Sequence, residues 1–230
     1  LAAGARIHEG LRIEGLERSG ARWRAQAGRA RIEAEHVVLA TNGYTDELWP
    51  GLRRSVVPVF STIVATAPLE EALARRILPG RSVLYESGSI TVYYRIDGAG
   101  RLLIGGRGPM HEIDGPGEIG HLIAYARRLW PRLVEAAWTH GWGGRIAMTR
   151  DHYPHLHEPA GGVLAALGYN GRGVALATAL GAELAKRVLD PSADPPLPVT
   201  RLQPIRLHAL WPLAVKAVVL RGRIADRFGR

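Results

Sequence analysis

Residues 161–189 constrain the fold most. Residues 161–167 (GGVLAAL) form a short apolar run, residues 168–173 (GYNGRG) are glycine-rich, and residues 174–189 carry Ala, Leu and Glu in a helical pattern. A strand, a tight glycine turn and a helix in that order form a recognisable device. Glycine lets the backbone come close to a ligand, and the unpaired amides that open a helix favour negative charge or an electron-rich acceptor. The glycines fall at 168, 171 and 173, which is not the G-x-G-x-x-G spacing, and no acidic residue follows as a ribose partner. A turn required only for packing the helix on the strand therefore remains an open reading. The Pro-rich residues 190–198 end the helix.

The N-terminal stretches 7–13, 23–27 and 31–35 alternate with period two and are separated by turns at Gly20 and Gly28. They predict a small antiparallel meander. It feeds residues 36–40 (HVVLA), a continuous apolar run expected to be a strand buried on both faces, which stops at Thr41, Asn42, Gly43 and Tyr44. Further on, residues 56–66, 83–85, 90–94 and 101–104 read as strands, the last entered through a turn at Asp97–Gly100. Residues 69–78 and 118–133 read as amphipathic helices, the second cut by Pro131. The middle block is thus a mixed sheet with a flanking helix. The fold class expected for the whole is α/β (α+β).

Several function classes drop out. With no cysteine, disulfides, thiolate metal sites and cysteine nucleophiles are excluded. No apolar run approaches the roughly 18 residues of a membrane span; residues 207–220 come nearest and are broken by His208, Pro212 and Lys216. The chain starts at Leu1 without a basic-then-apolar leader, so it reads as a segment of a longer, cytoplasmic polypeptide. Of the net charge of +9, most lies in residues 201–230, where seven cations from Arg201 to Arg230 face the single acid Asp226. Such a tail can bind nucleic acid, but a solvated or dimer-facing helix is the favoured reading. His152, His155 and His157 invite a metal, yet Pro154 interrupts them and no acidic partner follows in register. The chain has no G-x-S-x-G, and Gly88–Ser89 falls in a strand turn.

Three segments in order carry a family resemblance: residues 37–44 (VVLATNGY), residues 93–107 with Tyr93-Tyr-Arg and a closing Gly-Gly-Arg107, and residues 168–174 (GYNGRGV). Together they resemble the FAD-dependent amine and amino-acid oxidoreductases of the D-amino-acid oxidase, glycine oxidase and sarcosine oxidase superfamily. The γ-glutamylputrescine oxidase-like branch is the most similar. That family opens with a strand, a G-x-G-x-x-G turn and a helix that cradle the FAD pyrophosphate. No such unit is read here, so the chain is expected to be the C-terminal part of a two-domain flavoprotein, inactive without its N-terminal half.

The resemblance implies an organisation: residues 1–57 in the FAD-binding domain, 58–137 in the substrate-binding domain, 138–200 back in the FAD-binding domain, and 201–230 a basic helix or tail. It implies that Ala40, Thr41, Asn42 and Gly43 close the FAD domain beside the cofactor. It also implies that Gly168, Tyr169, Asn170, Gly171, Arg172, Gly173 and Val174 lie against the flavin with amides toward its pyrimidine edge. Arg145 matches an arginine that binds the substrate carboxylate, and Tyr93 a tyrosine placed over the substrate. FAD would be held non-covalently as far as this segment shows. The implied reaction is oxidation of an amine or amino-acid C–N bond by hydride transfer to flavin. A truncated module without enzymatic activity is the alternative from another class, and an anion- or nucleic-acid-binding domain a weaker third.

Overall fold

The structure, a computed structural model, describes residues 3–88 and 90–228, with the backbone alone at Arg227. Leu1, Ser89 of the expected turn and Arg230 of the tail lie outside the described residues. In chain order the strands are β1 (Gly15–Ser19), β2 (Arg22–Ala27), β3 (Ala30–Ala34), β4 (Val37–Leu39), β5 (Val57–Thr66), β6 (Leu84–Tyr85), β7 (Tyr93–Ile96), β8 (Leu102–Arg107), β9 (Trp138–Met148), β10 (His155–Ala160) and β11 (Val163–Leu167). The helices are α1 (Glu71–Ile77), α2 (Gly120–Leu129), α3 (Gly173–Leu189) and α4 (Trp211–Arg227). Two compact units form, Leu1–Val57 with Ala147–His208, and Pro58–Ile146 with Ala209–Arg230.

In the first unit, β1, β2 and β3 make the antiparallel meander, and Gly20 and Gly28 supply the positive φ of its turns, +60° and +56°. Trp23 on β2 is 7% exposed, and its indole N–H donates to the Gly161 carbonyl at 3.1 Å. Residues 7–13 are not a strand. Ile7 and Leu11 are 66% and 49% exposed, and alternation specifies a strand only where one face is buried.

The second sheet of this unit runs β10-β11-β4, with β11 antiparallel to β10 and parallel to β4 through Val163↔Val37 and Ala165↔Leu39. The expectation that 36–40 is buried on both faces is corrected: Val38 is 43% exposed while Leu39 is 6%. As the edge strand, β4 packs one face against Trp23, Leu52 and Val56 and leaves the other to solvent. The doubly buried strand is β11, whose five residues are all buried. Its other face receives Leu180 and Leu184 of α3.

The second unit holds a five-stranded sheet in the order β6-β7-β8-β5-β9, with antiparallel pairing from β6 through β7 and β8 to β5. Val64, Tyr94 and Ile104 share one face, covered by Ala74 and Ile77 of α1 and Leu122 and Ala126 of α2. The register pairs Tyr93 with Gly105 and Ser61 with Arg107, which places these four on the opposite face. Residues 118–133 are not one helix: a 3₁₀ turn at Pro116–Ile119 precedes α2, and Pro131 opens another at Pro131–Val134. Pro lacks the N–H a continuing helix needs.

Two boundaries differ from expectation. The return expected at residue 138 coincides with the start of β9, whereas the division lies within that strand, after Ile146. Residues 201–230 are not one tail. Ile205 N–H donates to the Arg54 carbonyl at 2.7 Å and His208 Nε2 donates to the Val56 carbonyl at 2.8 Å within the first unit. The α4 helix belongs to the second unit, where Asp226 Oδ2 accepts the Ile90 amide at 3.0 Å.

Candidate functional site

In the first unit the parallel pairing of β4 and β11 brings the chain segments that follow them side by side. Asn42 opens a 3₁₀ turn, Asn42–Tyr44, directly after β4, and adopts φ +41°. Its side-chain Oδ1 accepts the Gly168 amide at 3.1 Å, tying the segment after β4 to the glycine turn after β11. Thr41 and Thr45 hydroxyls share a hydrogen bond of 2.7 Å, and Gly43 is buried. Ala40 and Thr41 are exposed. In open sheets with parallel strands, ligands bind beyond the carboxyl ends of the strands, where helices begin.

The glycine turn is built by specific needs. Gly168 has φ +80°, and a Cβ there would stand 2.3 Å from Thr149 Cγ2, so the position admits no side chain. Asn170, φ +52°, accepts the Thr149 amide through Oδ1 at 2.9 Å and donates through Nδ2 to the Gly168 carbonyl. Gly171 has φ +87° with nothing within 4 Å of a built Cβ. The ring of the buried Tyr169 packs beneath Gly173, and its hydroxyl donates to the Ala166 carbonyl at 3.0 Å. Three amides of the turn are thus occupied internally: Gly168 by Asn42, Asn170 by Ala147 at 3.2 Å, and Arg172 by Tyr169 at 2.9 Å. The amides of Gly171, Gly173 and Val174 take no hydrogen bond among the described residues, and Val174 is 95% exposed. They form the positive end of α3.

Beside this turn lies a cleft of about 370 Å³ lined by Asp151, His152, Tyr153, Pro154, Tyr169, Arg172 and Leu176. Burial works against the Asp151 carboxylate, but hydrogen bonds from His155 and the Tyr153 amide outweigh it and hold its pKa down at about 2. Among the described residues no cluster fit to hold a metal forms. His155 pairs with Asp151 at 3.0 Å, while His157 is 1% exposed and donates through Nδ1 to the Thr200 carbonyl at 2.8 Å. Burial, foremost, lowers the pKa of His157, and its Nε2 has no partner.

In the second unit, Tyr93 lies flat across Gly105: a Cβ on Gly105 would meet the ring at 2.3 Å. That explains why this tyrosine and this glycine occur together. The Tyr93 hydroxyl shares a hydrogen bond with Ser61 Oγ at 3.1 Å, and its ring stacks on Tyr85. Arg145 on β9 donates through Nη2 to Glu112 at 2.9 Å and sits 5.6 Å from the centre of the Phe60 ring. Phe60 and Ser61 are consecutive on β5, so their side chains leave opposite faces of the strand. Arg107 is the residue sequence reasoning missed. Burial lowers its pKa, an effect the neighbouring Tyr85 and Tyr93 partly oppose. The Gly-Gly-Arg signature held it in plain view, valued only as part of a motif. A literal G-x-G-x-x-G also occurs at Gly115, Gly117 and Gly120. It follows a loop and reaches α2 through a 3₁₀ turn, with no strand running directly into it, and so lacks the context of a phosphate cradle.

Comparison with known proteins bears on these features. The FAD dependent oxidoreductase family matches residues 1–187. A probable oxidoreductase, OrdL, of Rhizobium meliloti (strain 1021) is 33% identical over 193 residues, 84% of this chain and 44% of that protein. The gamma-glutamylputrescine oxidoreductase of Escherichia coli (strain K12) is 26% identical over 151 residues, 65% of this chain and 35% of that protein. The crystal structure of glycine oxidase from Geobacillus kaustophilus superposes with a TM-score of 0.68 at 23% identity, covering 88% of this chain and 54% of that one. The chain therefore spans less than half the length of these curated relatives.

Proposed function

The chain belongs to the FAD dependent oxidoreductase family, and from that premise we propose that it works in an enzyme oxidising the C–N bond of an amine or amino acid. The observation that carries this reading is the Asn42–Gly168 hydrogen bond, which joins the two segments leaving parallel strands beside the free amides of α3. The residues fit a flavin. Gly171 and Gly173 present backbone without side chains, and nothing within 4 Å would oppose a group approaching Gly171. Gly171, Gly173 and Val174 would hold the electron-rich edge of FAD through their amides; Asn42 and Asn170 fix the turn that aims them. Bound FAD supplies the acceptor for the hydride equivalent that leaves the substrate.

The remaining work falls to this chain's own side chains. Amide dipoles at a helix start stabilise negative charge without a proton or a side chain. Arg145 would bind a substrate carboxylate through its planar fork, one arm of which, Nη2, meets the exposed carboxylate of Glu112. That ion pair is solvent-exposed and hence weak enough to exchange. Tyr93, held flat by Gly105 and Ser61, would cover the substrate. No strong acid or base is required of the chain, only positioning of the substrate C–H and a neutral amine.

The test uses the flavin-loaded enzyme that contains this chain. Arg145→Ala is expected to raise KM for carboxylate-bearing amines about tenfold or more, corresponding to about 1.4 kcal/mol, with plain amines nearly unaffected. Gly171→Val should lower the flavin retained after gel filtration. Full flavin content in that variant, with substrate-independent flavin absorbance under anaerobic conditions, would remove the reading.

A further inference from the structure

The second unit contains a cavity of about 450 Å³ between its sheet and α4, and its chemistry is one-sided. Val59, Phe60 and Val219 give it apolar walls, while Arg107, Lys216 and Arg223 give it three cations and no lining residue is acidic. Among the described residues none of the three cations forms an ion pair. Lys216, Val219 and Arg223 recur at i, i+3 and i+7, so one stripe of α4 supplies them together. The stripe is fixed in rotation by Asp226, whose Oδ2 accepts the Ile90 amide at 3.0 Å. Arg107 is the deepest cation, and burial disfavours its charge. Cations held beside an apolar wall without an acidic partner call for an anion to complete them.

We infer that this cavity binds the carboxylate end of an elongated organic anion with an apolar body, and that α4 supplies two of its three cationic contacts. The inference rests on the proposed oxidoreductase reading to the extent that the anion is the far end of the substrate. Two lining residues are neighbours of the residues assigned to substrate: Phe60 of Arg145, and Arg107 of Tyr93. An amine carrying two carboxylates would place one at Arg145 and the distal one in this cavity. The α4 helix lies beyond residues 1–187 matched by the family.

The test titrates the purified chain with hexanoate, using hexylamine and hexanol as controls, by calorimetry. Hexanoate is expected to bind and both controls to fail. Lys216→Met with Arg223→Met should weaken hexanoate at least tenfold at an unchanged melting temperature; both residues are exposed, so folding is spared. Val219→Phe, which fills the cavity without touching charge, should also weaken it. No hexanoate binding, equal binding of hexylamine, or undiminished binding in both variants overturns the inference. The titration needs no flavin. Loss of the oxidoreductase reading would instead show as absent flavin with the hexanoate response intact.

Discussion

The two turn glycines Gly168 and Gly171 illustrate how differently one residue type can be required. At Gly168 both space and backbone forbid a side chain: φ is +80° and Thr149 Cγ2 would stand 2.3 Å from Cβ. Gly168→Ala is expected to cost about 2–4 kcal/mol, combining overpacking with left-handed backbone strain, read as a lowered urea midpoint. At Gly171 only the backbone forbids it, so Gly171→Ala should cost about 1–2 kcal/mol. Equal losses in the two would show that Thr149 yields freely. The titration of Asp151 is a further residue-scale prediction. Its carboxyl, at about 2 against an ordinary 3.8, contributes stability fully present above pH 3.8 and lost as pH falls toward 2. Because the group is largely exposed, the contribution should stay below about 1 kcal/mol. Carboxyl NMR shifts of Asp151 that titrate in the normal range would contradict this.

At the scale of elements, what the sequence showed depended on whether burial was one-sided. The glycine turn and α3 were legible because an apolar strand, three glycines and a long Ala/Leu helix are local signals. The meander was legible from β2 and β3, where alternation meets a real core at Trp23. The same alternation at residues 7–13 misled, since no neighbour buries Ile7 or Leu11. Strand β9 left no clear trace: its glycines and its Trp138, His140 and Arg145 are mostly partly or fully exposed, so no period of two develops. In the site, the partner of Asn42 is 126 residues away, and no local pattern announces such a hydrogen bond. Strand β10 carries an element-scale prediction. His157 on it is buried and neutral, with its pKa lowered below 6.5. The unfolded chain then binds more protons than the folded one as pH falls below 6.5, so stability present above that pH declines on acidification. Melting temperatures followed from pH 7.5 to 5 should fall less steeply for His157→Leu than for the parent, whatever the offset between them.

For the whole molecule, the distribution of charge acquires a structural meaning. The net +9 suggested a basic terminal tail, but residues 201–208 belong to the first unit and α4 to the second. Deleting residues 209–230 is therefore expected to lower the denaturation midpoint of the second unit, exposing Val59 and Phe60. Tryptophan fluorescence of Trp130 and Trp138, isolated by replacing the others with Phe, reports that unit alone. An unchanged midpoint would show that α4 adds nothing to its stability.

The chain passes from one unit to the other three times, after Val57, Ile146 and His208. A nascent polypeptide leaving the ribosome thus cannot finish either body early. Strand β4 emerges long before β11, its parallel companion, and the five-stranded sheet is complete well before its last helix. Both bodies must mature late and nearly together, and an unpaired edge is exposed throughout synthesis. Overexpression should therefore tax chaperone capacity more than the modest size of either body would suggest.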